Sequence, residues 1–134
     1  MKTEIWVTFN YGGWRIAFKK EFEFPFTPSL GIIIQDDGEN GAGENTIELI
    51  ETEHRSVSIY YNTFRKGFEI NVREYWKHPV SDETIDGTIE MFMETNWTRC
   101  DTTDILELKN LMKKDYERTK PSLTSICRTS HSSI

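Results

Sequence analysis

Ile5-Trp6-Val7-Thr8-Phe9-Asn10-Tyr11-Gly12-Gly13-Trp14-Arg15-Ile16-Ala17-Phe18 is the stretch on which the fold turns. Apolar residues alternate with polar ones on both sides of a Gly-Gly pair, the pattern of two strands each buried on one face. Glycine alone adopts the positive φ of a two-residue hairpin turn without steric cost. A loop of that length leaves one pairing, in which Tyr11 faces Trp14, Phe9 faces Ile16 and Val7 faces Phe18. Turn chemistry and apolar pattern therefore select the same register.

Outward from this hairpin the alternation continues through Lys20, Phe22 and Phe24, and Pro25 and Pro28 end it. In Leu30-Gly31-Ile32-Ile33-Ile34 alternation disappears, so the run is expected to be a strand buried on both faces. Residues 36–45 have loop composition, and a strand is expected near 46–54. A second hairpin has arms at about 56–63 and 68–76. Gly67 suggests a three-residue turn with a bulge, but pairing Ile59 with Val72 and Tyr61 with Ile70 needs an even loop, Phe64 to Gly67. The apolar pattern decides for the even loop, because a one-residue slip would turn one arm's apolar face to water.

Residues 81–97 carry two periodicities. As a strand, Ile89, Met91, Met93 and Trp97 share a face. As a helix, Ile85, Ile89, Phe92 and Met93 make a stripe, Ser81 caps it, Asp82 and Glu83 complement the N-terminal dipole, and Asn96 suits a left-handed C-cap with Trp97 folding back. The caps favour the helix. A second helix is expected over 104–118, opened by Asp104 with Glu107 and apolar at Ile105, Leu108, Leu111, Met112 and Tyr116. Strands first and helices last imply an α+β domain: an antiparallel sheet or small open barrel of five to six strands, containing both hairpins, with one or two C-terminal helices packed on it. The expected division is a single domain over 1–118 and a flexible tail over 119–134, where eight of sixteen residues are Ser or Thr.

A chain of 134 residues with net charge −6 and a pI near 5.1 is no generic binder of phosphate backbones or anionic lipid. No apolar run has the length of a membrane span, and the first residues lack the apolar core of a secretory signal, so the expected compartment is the cytoplasm. Two cysteines, Cys100 and Cys127, make no disulfide framework. Charge comes in blocks: residues 21–54 hold nine acids and no base, and 81–107 hold eight acids and one base. The bland account is a solvated face that keeps the protein soluble. The sharper expectation is an acidic surface for a protein with a basic face, formed by Glu48, Glu51 and Glu53 with the loop acids Asp36 and Asp37. The chain would then be a non-enzymatic protein-binding or regulatory module, an inhibitor or immunity-type antagonist of its partner. A calcium loop fails in either register: counted from Asp37, Gly41 and Ala42 fall where a ligand and the turn glycine belong, and counted from Asp36 the third and twelfth ligands are lost.

Catalytic motifs are missing. His54, His78 and His131 have no ligand-spaced company, and there is no nucleophile elbow or phosphate-binding glycine loop, so no cofactor and no metal are expected. Glu107-Leu108-Lys109 with Asp101 or Asp104 has the letters of a metal-dependent hydrolase, yet helix-start acids are explained by the dipole. The alternative function is single-stranded nucleic-acid binding. Trp6, Tyr60 and Tyr75 sit opposite the apolar faces of their strands, near Lys19 and the basic 55–77 segment, where exposed rings can stack on bases.

Overall fold

β1 (Lys2–Tyr11) and β2 (Trp14–Glu23) form the expected hairpin with Tyr11 opposite Trp14, Phe9 opposite Ile16 and Val7 opposite Phe18. Gly12 takes φ +56° at the first turn position. The structure, a computed structural model, describes residues 1–41 and 43–119. β3 (Ile33–Asp36) and β4 (Asn45–Glu48) form a separate antiparallel pair, joined through a 3-10 turn at Glu39–Gly41. β5 (Arg55–Asn62), β6 (Gly67–Tyr75) and β7 (Thr98–Arg99) complete a five-stranded sheet in the order β5-β6-β1-β2-β7. The helices are α1 (Asp82–Glu94) and α2 (Ile105–Thr119).

The class is α+β as the order of elements implied, and the sheet is open, with no closure into a barrel. It is mixed rather than wholly antiparallel, because β6 enters beside β1 and parallel to it. β1 is thereby flanked on both sides, and Ile5 and Val7 are buried at its centre.

Three expectations about the strands are corrected. The second hairpin is paired two residues away from the anticipated register: Ile59 faces Ile70, Val57 faces Val72 and Tyr61 faces Phe68, around a four-residue loop from Thr63 to Lys66. A slip of two retains the faces, so the apolar pattern fixes parity but not position. Position is set at the loop. Lys66 adopts φ 55°, and Gly67 opens β6 where a Cβ would lie 2.7 Å from the Lys2 carbonyl oxygen. The observed register also matches all three apolar residues of β5 to apolar partners.

The run 30–34 is not a strand buried on both faces. Gly31 turns with φ +95°, Leu30 is exposed, and β3 starts later with Ile33 57 % exposed while Ile34 and Asp36 point inward. The expected strand at 46–54 is shortened to four residues, because Thr52 and Arg55 exchange backbone bonds in a tight turn before β5.

The helix reading of 81–97 holds. Ser81 accepts from the Thr84 amide, Asn96 takes φ 66°, and Trp97 donates its backbone N–H to Phe92 while its ring packs on Phe92 at 5.0 Å. This is a Schellman ending with its hydrophobic contact. Met93 does not join the stripe and is exposed, as is Tyr116 on α2. The core lies between one sheet face and the layer formed by α1, α2 and the β3–β4 pair; Phe92 stacks on Phe18 at 4.4 Å and meets Phe9 edge-on. The expected tail from Lys120 onward lies outside the described residues; Thr119 belongs to α2.

Candidate functional site

Even-numbered residues of β1 point away from the core, and the ladder carries their rows across the sheet. One row is Tyr60, Glu69, Glu4 and Glu21; the next is Ser58, Asn71, Trp6, Lys19 and Thr98; then come Ser56, Arg73, Thr8 and Ala17, and finally Tyr75, Asn10 and Arg15. Among the described residues no helix or strand is laid over this face, since the helices and the β3–β4 pair pack on the other one.

The face is polarised along its strands. At one end the acids are neutralised within the chain: Glu21 pairs with Lys2, and Arg65 bridges Glu4 and Glu69. Toward the other end Arg15, Lys19 and Arg73 form no ion pair among the described residues. Lys19 instead lies over the Trp6 ring, 5.3 Å from its centroid. Trp6 Nε1 donates to Glu4 at 2.6 Å, which orients the indole. Cys100 borders the same region, its amide bonded to the Ala17 carbonyl. Burial pushes its thiol upward, Asp101 adds to this, and Lys19 and Arg15 only partly oppose it. A raised thiol is a poor nucleophile at neutral pH.

The three aromatic candidates share this face but do not touch. Trp6 is central, Tyr60 stands two strands away and one row along, roughly 12 Å, and Tyr75 lies opposite Asn10, roughly 14 Å along β1 from Trp6. Tyr60 donates its hydroxyl to Glu69, whose hydrogen bond raises the phenol above its usual range, helped by partial burial. What the arrangement offers a ligand is one oriented indole, three cations without an ion pair among the described residues, and the polar side chains of Asn71 and Ser58.

The acidic candidates are dispersed. Asp36 is 7 % exposed and accepts from Lys20 and Trp97 Nε1, both at 2.8 Å, so it is a core ion pair and unavailable to a partner. Glu48 pairs with Arg55 at 3.0 Å. Glu53 contacts His54, Glu51 is exposed on the same connection, and Asp37 accepts from Gln35 at the start of the acidic loop. That loop reaches the end of α1: a Cβ on Gly38 would lie 3.4 Å from the Glu94 carbonyl oxygen, and one on Gly43 would lie 3.6 Å from Glu94 Cβ. The two acid-rich segments therefore meet there.

The hydrolase letters are spent on structure. Asp101 is bound by Arg99 and two amides, Asp104 caps α2 by accepting from the Glu107 amide, and Lys109 pairs with Asp86 at 2.7 Å. Among the described residues no three His, Cys, Asp or Glu side chains gather into a metal centre. The sequence reading passed over Lys20, although a lysine in the apolar row Trp14, Ile16, Phe18, Phe22 signals a buried partner, here Asp36. Comparison with protein-family models, curated proteins and solved structures finds no significant match to this chain, so the face and its chemistry carry the functional argument.

Proposed function

We propose that the chain is a binding module whose working surface is the open sheet face and whose ligand is single-stranded nucleic acid. The observation that carries this reading is Lys19 lying over the half-buried Trp6 ring, with Arg73 one row and Arg15 two rows further along the same face, all three without an ion pair among the described residues. An open sheet that presents an aromatic ring beside cations suits a strand whose bases stack while its phosphates follow the charge. Net acidity does not oppose this, because the neutralised acids lie at the opposite end of the strands and screening limits the reach of the remainder to about 8 Å at physiological salt.

With a single strand of about ten nucleotides, the expected log Kobs against log salt slope is about −2 for three phosphates neutralised. Trp6→Ala weakens binding by about 1–3 kcal/mol, and Arg73→Glu flattens the salt slope. Fluorescence anisotropy of a labelled strand measures all three. No binding at low salt removes the reading.

A second reading keeps the acidic segments as a surface for a basic protein, and is favoured by their meeting at the end of α1. There the helix carries no base in its last turn, and its negative end adds to Glu94 and the acidic loop. Such a pole steers a basic partner, so converting Asp37, Glu44 and Glu94 to their amides is expected to slow association several-fold at low salt with little change in stability. Stopped-flow association with a basic partner protein checks it; an unchanged on-rate rejects that pole.

A further inference from the structure

Of the two sheet edges, β7 is only two residues long, whereas β5 is eight residues long and has no strand on its outer side among the described residues. Tyr75 donates its N–H to the His54 carbonyl at 2.8 Å, so the even-numbered residues of β5 bond inward to β6 and the odd-numbered ones present their N–H and C=O outward. Arg55 is already satisfied, since it exchanges both backbone bonds with Thr52. The open groups are therefore those of Val57, Ile59 and Tyr61, three residues symmetric about Ile59.

Natural edges are blunted by lysine, proline, bulges or inward charges. Residues 56–62, Ser-Val-Ser-Ile-Tyr-Tyr-Asn, have none of these. An antiparallel copy of the same strand, placed on a two-fold axis through Ile59, sets Ile59 against Ile59 and Val57 against Tyr61 on the apolar side, and Ser58 against Tyr60 on the open side. All six open groups are then paired, and on the core side every match keeps apolar facing apolar. The same operation brings the loop carrying Lys66, which forms no ion pair among the described residues, level with the turn carrying Glu51 and Glu53 of the other copy, so opposite charges meet at both ends of the shared ladder. Phe64, 94 % exposed at the loop tip, gains a neighbour there.

We infer that β5 is a homodimer edge, through which two copies join into one continuous ten-stranded sheet. The inference is independent of the ligand proposed above, since it rests on the edge and not on the open face. In the dimer both open faces lie on the same side of one sheet.

The test uses the full chain. Analytical ultracentrifugation from micromolar to millimolar protein is expected to show a monomer–dimer equilibrium that weakens as salt rises. In a background with Cys100 and Cys127 replaced by serine, Ile59→Cys is expected to form a symmetric disulfide under mild oxidation, because directly opposed residues lie about 5.5 Å apart at Cα, within disulfide range. Tyr60→Cys alone should not cross-link, but mixed with Ser58→Cys it should. This pair sits on the open face and reads the register even where the Ile59 variant folds poorly. Tyr61→Pro, which removes an outward donor, should abolish the dimer and leave the circular dichroism of the fold intact. A chain that stays monomeric at every concentration overturns the inference, and so does a dimer in which neither the Ile59 variant nor the Ser58 and Tyr60 mixture cross-links.

Discussion

Asp36→Ala is expected to destabilise the fold by about 3–5 kcal/mol, the cost of leaving the other half of a buried ion pair unpaired. Asp36 Oδ2 accepts from Lys20 Nζ and Trp97 Nε1, and Oδ1 accepts from the Gly38 amide at 3.1 Å. Lys20 also donates to the Thr95 carbonyl at 2.6 Å, beyond the last turn of α1. One carboxylate thus connects β2, β3, the residue after the helix and the acidic loop. Removing it strands an ammonium on the apolar side of the sheet, where Lys20 is about one fifth exposed, and leaves the buried indole N–H without its partner. Domain stabilities are typically about 5–15 kcal/mol, so the loss is a large share of the whole. Urea unfolding of Asp36→Ala, Lys20→Met and the double variant forms the check. The double variant should be less damaged than the two single losses added together, since it removes both charges at once. Strict additivity would show that the pair is not coupled and would remove this account of the junction.

The same junction marks where sequence reasoning stopped. The first hairpin was legible because loop length and apolar period act within a few residues of one another, and both named one register. Helix α1 was legible through its ends, Ser81 and Asn96-Trp97, although its interior fits a strand equally well. The second hairpin was legible in parity alone. Its position depends on how closely Gly67 approaches Lys2, a contact between segments far apart in sequence. The parallel placement of β6 beside β1 is likewise non-local, and no turn residue records it. Ile32-Ile33-Ile34 misled because composition alone suggested burial on both faces, while Gly31 and the pull of Lys20 on Asp36 start the strand three residues later and turn Ile33 outward. For the candidate site, the side on which Trp6, Tyr60 and Tyr75 stand followed from period two. Charge blocks gave less: they predict that acids crowd together along the chain, but not that Asp36 would be buried or Glu48 held by Arg55.

Asp101→Ala is expected to cost a similar amount, about 3–5 kcal/mol at neutral pH, because it leaves Arg99 and two backbone amides without their acceptor. β7 ends after two residues, and Asp101 takes over where the ladder stops. It accepts from the Ala17 amide and the Thr103 amide at 2.9 Å and from both Nε and Nη2 of Arg99, with its side chain only 2 % exposed. Arg99 Nη2 also donates to the Thr103 carbonyl at 2.6 Å, so the same group fixes the chain's departure toward α2. Burial alone would raise the carboxyl; the Arg99 hydrogen bond and the Ala17 and Thr103 amides outweigh it and hold the group below the ordinary carboxylate range. A depressed folded pKa means that the folded state binds the proton less readily than the unfolded one. The stabilisation is therefore present in full above the unfolded pKa of about 3.9 and is lost as pH falls through the lower folded value. Denaturant unfolding at neutral pH and at successive steps below pH 4 should show the gap between the natural chain and Asp101→Ala narrowing on acidification. Asp101→Asn keeps the shape but turns an amide N–H₂ toward donors, so its loss should approach that of alanine at neutral pH instead of rescuing the fold. A gap of equal size at both ends of that range would mean that the carboxylate's charge contributes nothing, and that Asp101 acts only as a space-filling end to the sheet.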